Sequence, residues 1–282
     1  MNQNLEQVVN TLLVGKFKSI NHESNNHHYT GYSTKYQKDV FVKVFNEKNL
    51  DKFHTELNIL KADKERYVDH LAYENYLLLI LTDYELTDVD VKMLAEGKML
   101  SDIAKLIAHF HQKTLENEIS VKHEVSHRIQ ETLQGLLGRQ NYAELSAIWD
   151  TIAVYRGTID SEYSQYRKAT IHGDFGLRNL KYHDGKMILI DFERSKKDIY
   201  YLDFIKFFYT DLQSNPEQTR FFLKEYYKYV DYPTISKLLE SALVFYTGLG
   251  ILKYTMVFDD KKFEQTGLQM IEDVQQFFVG NE

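Results

Sequence analysis

The stretch IHGDFGLRNL, residues 171–180, decides the fold together with ILIDFE, residues 188–193, which follows it closely. Asp174 and Asn179 lie in the first stretch, and an apolar run leads directly into Asp191 in the second. The turn HDGK between them predicts a hairpin that can bring the three side chains together. Two carboxylates and one amide supply the hard oxygen ligands that Mg²⁺ prefers, and bound Mg²⁺ usually shares its remaining sites with phosphates. The pattern therefore favours a reaction site over a structural turn.

Composition limits the classes of protein to which this chain can belong. Its 282 residues suffice for one large domain or two smaller ones. The net charge of −7 argues against a nucleic-acid partner and is compatible with a cationic one. The sequence contains no cysteine, which excludes disulfides and thiolate metal sites and favours a reducing compartment.

The hydrophobic pattern predicts neither export nor membrane insertion. The N-terminal MNQNLEQVVN lacks the basic region and apolar run of a signal peptide. The longest apolar run, LLLIL at residues 77–81, is far shorter than the roughly 20 residues that span a bilayer. We therefore expect a cytoplasmic protein with no membrane partner, and the sequence leaves its oligomeric state open.

Two regions differ in the period of their hydrophobic residues. The first region alternates β-branched and aromatic runs with polar loops, as in DVFVKVF and YENYLLLIL, and includes one helical segment, NLDKFHTELNILKAD. From about residue 99 apolar residues recur at helical spacing in three stripes: Leu100, Ile103, Ile107 and Phe110; Val121, Val125, Ile129 and Leu133; Leu145, Ile148, Ile152, Tyr155 and Ile159. After residue 199 we again expect helices, with Pro216 and Pro233 in first turns. The pattern predicts an α+β protein with a small β-rich N-terminal lobe, residues 1–86, and a larger, mostly helical lobe, residues 87–282.

Five motifs in order resemble one known family. HGDFGLRN followed by LIDFE resembles the motifs of aminoglycoside phosphotransferases and choline kinases, which share a two-lobed, protein-kinase-like fold. VFVKVF (residues 40–45) resembles their lysine-bearing strand, and FHTELNIL (residues 53–60) resembles the helix that supplies the glutamate partner. IAKLIAHFHQ (residues 103–112) and Asp203 in YYLDFIKFF are similar to later motifs. The resemblance covers most of residues 14–210.

The resemblance implies an ATP-dependent kinase that uses Mg²⁺ and a small-molecule hydroxyl acceptor. Catalysis of phosphoryl transfer rests mostly on positioning and electrostatics. The implied residues and roles are Lys43 on the α- and β-phosphates, Glu56 holding Lys43, Asn179 and Asp191 on Mg²⁺, Asp174 as the base, and His172 orienting the loop. Glu193 is expected on the metal or on the substrate side.

Several of these assignments have a simpler alternative, and Glu193 could equally be a core residue. Lys43 could be a solvated strand lysine, Glu56 an ordinary surface residue of a helix, and Arg178 a surface arginine or a phosphate contact.

Two departures from the expected pattern affect the assignment. INHESNNHHYTGY, residues 20–32, stands at the phosphate-loop position without a G-x-G-x-x-G pattern. Backbone amides beside Ser24, Asn25 and Asn26 can still cradle a phosphate, so we assign Ser24 and Asn25 to the nucleotide. The histidines of this segment favour a polar loop over a metal site. Gly176 stands where protein kinases usually place a lysine, which favours a small-molecule phosphotransferase.

The acceptor and the class of function leave alternatives open. Acidic residues after Asp203 suit a polycationic aminoglycoside, whereas aromatic residues suit a choline-like amino alcohol through cation–π attraction; a sugar is a third candidate. These acids are Asp211, Glu225, Asp231, Asp259 and Asp260. Phe204, Phe207 and Phe208 are more simply core residues. A nucleotide-binding pseudokinase with a regulatory role is the alternative function, but pseudokinases typically lose one of the key residues, and all of them are present here.

Overall fold

The structure is a computed structural model that describes residues 2–20, 26–95, 97–113 and 123–279. Its described helices and strands are, in chain order, α1 (Asn2–Leu12), β1 (Gly15–Ile20), β2 (His27–Ser33), β3 (Lys38–Asn46), α2 (Leu50–Leu60), β4 (Tyr67–Tyr73), β5 (Tyr76–Thr82), β6 (Thr87–Asp88), α3 (Gly97–His111), α4 (Val125–Gln134), α5 (Tyr142–Ala153), α6 (Arg156–Gln165), β7 (Ala169–Ile171), β8 (Leu180–His183), β9 (Lys186–Leu189), β10 (Lys196–Asp198), α7 (Leu202–Lys206), α8 (Pro216–Tyr226), α9 (Lys237–Thr255) and α10 (Lys261–Val279). No helix in these ranges is long and apolar enough to cross a membrane.

The chain forms two compact units. The first unit comprises the chain up to Asp88 together with Leu180–Ser195. The second comprises Val89–Lys113, residues 123–179 and the chain from Lys196 onward.

A five-stranded antiparallel sheet, in the order β1-β2-β3-β5-β4, is the centre of the first unit. Val40, Val42 and Val44 alternate along β3 and are fully buried in a core that also contains Leu5 and Val9 of α1. Because successive side chains of a strand point to opposite faces, Lys43 lies on the other face.

The helix α2 packs on the face of the sheet that carries Lys43. Phe45 on β3 meets Phe53 on α2 edge to face, with ring centroids 5.5 Å apart. Glu56 is buried in the middle of this helix. The alternation of β3 and the periodicity of α2 thus place a lysine and a glutamate in the same interior.

A second, three-stranded sheet in the order β6-β8-β9 also belongs to the first unit. The β8–β9 hairpin turns at Asp184 and Gly185, both of which have positive φ, as two-residue hairpin turns require. The chain leaves β9 at Leu189 and reaches Asp191 two residues later. The turn HDGK therefore forms the hairpin that the sequence predicts.

Helices and aromatic side chains make up most of the second unit. Phe204 packs edge to face against the rings of both Phe222 and Tyr226, at centroid distances of 5.1 and 4.8 Å. Phe207 and Phe208 are also buried, so these three phenylalanines are core residues, as the simpler interpretation of the sequence proposes.

The helical region confirms one of the sequence-based predictions and departs from two others, and one residue of the predicted stripes lies outside the described residues. The third stripe is divided between α5 and α6, with Val154 and Tyr155 exposed at the break. The prediction for Pro216 is confirmed, because Asn215 caps α8 immediately before it. The prediction for Pro233 was wrong: α9 begins at Lys237, where the hydroxyl of Ser236 accepts the N–H of Leu239 and so sets the start of the helix. Val121 of the second stripe lies outside the described residues.

Candidate functional site

A buried lysine surrounded by carboxylates occupies the first unit. The Nζ atom of Lys43 lies 2.7 Å from Oε2 of Glu56, 2.6 Å from Oδ1 of Asp191 and 3.4 Å from Oε2 of Glu193. Lys43 is 5% exposed and Glu56 3%, so neither is a surface residue. Burial lowers the pKa of the Lys43 ammonium, but the charges of Glu56, Asp191 and Glu193 outweigh that effect and raise this pKa above its ordinary value. Lys43 is therefore a fixed positive charge.

Glu193 has partners that the sequence did not suggest. Its Oε1 accepts from Nζ of Lys52 at 3.0 Å, and its Oε2 accepts from Nδ2 of Asn26 at 2.9 Å. Asn49 donates in turn to Oδ1 of Asn26 at 3.3 Å. The spacing of Lys52 and Glu56, four residues apart on α2, is the one sequence signal that could have placed Lys52 near the cluster.

The carboxylates of Glu56, Asp191 and Glu193 offer oxygen atoms that all lie within 4.8 Å of one another. Asp191 has a φ of +65°, which is uncommon for a residue with a side chain and typical of strained functional positions. The ion pairs join these three carboxylates to two ammonium groups, those of Lys43 and Lys52. The hard oxygen donors of these carboxylates fit a divalent cation such as Mg²⁺.

The loop that contains Asp174 lies in the second unit. Asp174 is 6% exposed, and its Oδ1 accepts from Nζ of Lys206 at 2.5 Å. Its Oδ2 accepts from the guanidinium of Arg178. Nδ2 of Asn179 donates to the backbone carbonyl of Asp174 at 2.8 Å, which turns the amide oxygen, the atom that a metal ion would use, away from that carbonyl. Sequence reasoning missed Lys206.

Asp203 holds the start of this loop. Its Oδ2 accepts the backbone N–H of His172 at 2.6 Å, and its Oδ1 accepts the N–H of Gly173 at 2.8 Å. Nε2 of His111 lies 3.0 Å from Oδ2, and since an ionised carboxylate only accepts, the histidine donates. Burial opposes the charge of Asp203, but the bonds from His111 and His172 outweigh it and lower the pKa of this carboxyl below its ordinary value. His172 is fully buried, and its backbone is oriented by Asp203.

Some of the remaining predicted residues lie outside the described residues, and two of the acidic residues have hydrogen-bond partners. Ser24 and Asn25 lie outside the described residues, as does His22. Asp211 accepts the backbone N–H of Leu177 at 3.3 Å and so contacts the loop that contains Asp174. The carboxylate of Glu225 accepts hydrogen bonds from the hydroxyl of Ser101 and from the ammonium of Lys228.

The fold is similar to those of several solved structures. Choline kinase LicA from Streptococcus pneumoniae is 15% identical, with a TM-score of 0.69 over 99% of each chain. An ethanolamine kinase from Plasmodium vivax is 16% identical, with a TM-score of 0.64 over 99% of this chain and 88% of that one. A thermostable mutant of aminoglycoside phosphotransferase APH(4)-Ia, in a ternary complex with ADP and hygromycin B, is 10% identical, with a TM-score of 0.67 over 96% of this chain and 97% of that one. These likenesses show the fold, and the prediction of a protein-kinase-like fold with a β-rich N-terminal part and a helical C-terminal part is confirmed.

Comparisons of sequence give the family. A search of curated proteins found no match. A family model described as "Phosphotransferase enzyme family" matches residues 19–236, which is more than half of the chain and includes β3, α2, the loop of Asp174 and Asp191. The chain therefore belongs to the phosphotransferase enzyme family.

Proposed function

We propose that this protein transfers the γ-phosphate of ATP to a hydroxyl group of a small molecule. The observation that carries the proposal is the buried Lys43, held by Glu56 and Asp191 on the sheet of the first unit. A buried ammonium with a raised pKa remains charged at neutral pH and can bind phosphate oxygens. Membership of the phosphotransferase family supports the same reaction class.

The first unit supplies the nucleotide-binding residues in this proposal. Lys43 contacts the α- and β-phosphates, and Glu56 keeps its ammonium in place. Ser24 and Asn25 contribute backbone amides to the phosphates. As the sequence predicts, we assign residues 1–86 to a nucleotide-binding lobe and residues 87–282 to a lobe with the catalytic loop and the acceptor site, while Leu180–Ser195 groups with the first unit.

Asp191 and Asn179 would hold Mg²⁺, with Glu193 on the metal or on the substrate side. The donor set fits, because it consists of carboxylate and amide oxygens, the hard ligands that Mg²⁺ prefers. When bound, Mg²⁺ neutralises negative charge on the phosphate oxygens. Lys52 and Asn26 orient Glu193 through their bonds to its two oxygens.

The second unit supplies the groups that act on the acceptor. Asp174 accepts a hydrogen bond from the acceptor hydroxyl and takes its proton as the new phosphorus–oxygen bond forms and the bond to the leaving ADP breaks. Asp203 keeps the loop in place through the N–H groups of His172 and Gly173. Asn179 fixes the loop from within through its bond to the carbonyl of Asp174.

The acceptor is a small molecule with a hydroxyl group: an aminoglycoside, a choline-like amino alcohol or a sugar. Solved structures with this fold include enzymes named for choline, ethanolamine and aminoglycosides. The negative net charge and the acidic residues near the loop, Asp211 among them, favour a cationic acceptor.

ADP release in the presence of a panel of amino alcohols, sugars and aminoglycosides tests this proposal. We expect acceptor-dependent ADP formation by the wild-type protein and its loss in Asp174→Asn, with ATP binding retained. Asp150→Asn makes the same chemical change at an exposed position of α5 and should leave turnover unchanged. ATP binding without ADP formation for any acceptor would favour the pseudokinase, and no ATP binding at all would refute both functions.

A further inference from the structure

One continuous segment of the second unit contacts the catalytic loop at three points. Asp203 accepts from the start of the loop, at His172 and Gly173. Lys206, one helical turn later, donates to Oδ1 of Asp174. The segment then reaches Asp211, whose Oδ2 accepts the N–H of Leu177. The loop is therefore held along its length by the residues that follow Tyr201.

A π-helical turn at Phe207–Asp211 makes this arrangement possible. The N–H of Leu212 donates to the carbonyl of Phe207 at 3.0 Å, the wide i to i+5 bond of such a turn. In a regular α-helix, at about 100° per residue, Asp211 would lie about 80° around the axis from Asp203. A wider turn advances less per residue, which brings Asp211 back toward the face that carries Asp203 and Lys206. Such bulges are frequent at functional sites.

The loop contributes only an exposed cation of its own to Asp174. Gly176 has no side chain, and a Cβ atom built there would lie 3.0 Å from Oδ2 of Asp211. Arg178 is the loop's own cation on Asp174, but its side chain is 71% exposed. The side chain of Lys206 is only 23% exposed and is fixed on a helix. Since exposed ion pairs are screened by water, Lys206 is the stronger and better-defined partner.

We propose that Lys206 is the positioning residue of the catalytic base: it holds Oδ1 of Asp174, while the acceptor hydroxyl replaces the exposed Arg178 at Oδ2. This inference rests on the proposed function. Lys206 keeps its protons throughout; the hydroxyl proton passes to Asp174, the bond from phosphorus to the acceptor oxygen forms, and the bond to ADP breaks. The role of Lys206 is to fix the carboxylate where its second oxygen can reach the acceptor.

A double-mutant cycle between Lys206 and Asp174 tests the proposal. Misplacing a reacting group by about 1 Å can cost about 10²-fold in rate, so Lys206→Met should lower kcat by about that factor and leave KM for ATP unchanged. Lys206→Arg keeps a cationic donor and should recover most of kcat. In the Asp174→Asn background, Lys206→Met should have little further effect, because a residue that acts through Asp174 loses its role with it.

Matched variants separate this role from a general loss of charge. Lys262→Met removes a lysine from an exposed position of α10 and should behave as wild type. Arg178→Met removes the other cation on Asp174 and should reduce kcat less than Lys206→Met does. Losses that simply multiply in the double variant, or a higher KM for ATP with unchanged kcat, would overturn the positioning role.

The same four proteins of the cycle give a readout that does not depend on activity. If Lys206 holds Asp174, the changes in melting temperature for the two single variants should not add in the double variant. Additive changes would overturn the contact even if the wild-type protein forms no ADP with any acceptor, a result that by itself would refute only the proposed function. Coupling in melting temperature without coupling in kcat would make Lys206 a structural partner and would also overturn the proposal.

Discussion

Replacement of Asp203 by asparagine tests how the loop that contains Asp174 is held. The carboxylate accepts three hydrogen bonds: from the backbone of His172 at 2.6 Å, from the backbone of Gly173 at 2.8 Å and from His111 at 3.0 Å. An asparagine side chain has nearly the same shape but only one acceptor oxygen. Its NH₂ group must face at least one of these N–H donors. The hydrogen bond from that donor is lost, and two hydrogen-bond donors then point at each other.

The structure gives the size of the effect. A hydrogen bond to a charged group contributes about 1.5–3 kcal/mol, and a buried donor without a partner costs about 1–3 kcal/mol. Asp203 is 2% exposed, so water cannot replace the lost acceptor. We expect Asp203→Asn to reduce the free energy of unfolding by about 3 kcal/mol. For a unit of this size, that corresponds to a fall in melting temperature of about 6–12 °C.

Thermal unfolding followed across pH measures this prediction, with Asp150→Asn as the control for the same chemical change on the surface. The pKa of Asp203 is lowered from 3.8, so the stability that its charge provides is complete above about pH 4 and is lost as the pH falls through the folded-state pKa. The difference between wild type and Asp203→Asn should therefore be constant from about pH 5 to 8 and shrink only in stronger acid. Turnover should fall as well, since Asp174 follows directly on the residues that Asp203 holds. Melting temperatures within about 1 °C of each other at pH 7 would refute the reasoning.

The remaining predictions concern other groups of the two units. Lys43→Met should abolish ATP binding in isothermal titration, whereas Glu56→Gln should weaken it less, because Glu56 only positions the ammonium; wild-type affinity in both would contradict the nucleotide assignment. Omitting Mg²⁺ should lower the affinity for ATP in the same experiment, and identical affinity and enthalpy would argue against the metal ligands. Burial lowers the pKa of Lys168 to about 8, so the unfolded chain binds the proton more tightly and the contribution of Lys168 to stability should rise between about pH 8 and 10; the melting temperature of wild type relative to Lys168→Met should increase over that range. Gly176→Ala should lower kcat without loss of ATP binding, because its Cβ atom displaces the carboxylate of Asp211, and unchanged kinetics would show that this contact yields freely.

Much of the fold could be predicted because its signals are local. The alternation of β3 places Val40, Val42 and Val44 in one core and Lys43 on the opposite face. The turn at Asp184 and Gly185 uses residues that tolerate positive φ, so the four residues HDGK are enough to predict the hairpin before Asp191. The prediction of a helix start at Pro233 was wrong because proline fits a first helical turn and an extended connection equally well.

The contacts that complete the two clusters could not be predicted, because they join residues far apart in sequence. Asn26 and Glu193 are 167 positions apart, and no local pattern links them. Lys206 occupies a helix whose apolar spacing predicts only a buried face. The contact of Lys206 with Asp174 depends on how α7 packs against the loop. The position of Asp211 beside the loop depends on the π-helical turn at Phe207–Asp211.

The cost of burying charge bears on why the Lys43 cluster exists at all. Desolvation of a buried ion pair commonly outweighs its Coulomb attraction, and apolar replacements of similar volume are often neutral or stabilising. A lysine and a glutamate at 5% and 3% exposure are therefore a poor choice if stability alone decides the sequence. Asp191 carries a different cost, because its left-handed backbone conformation is one that a glycine would adopt without strain. A fold that retains both features in one place has a use for fixed charge there, and the phosphates and metal of a nucleotide complex are the ligands that such charges suit.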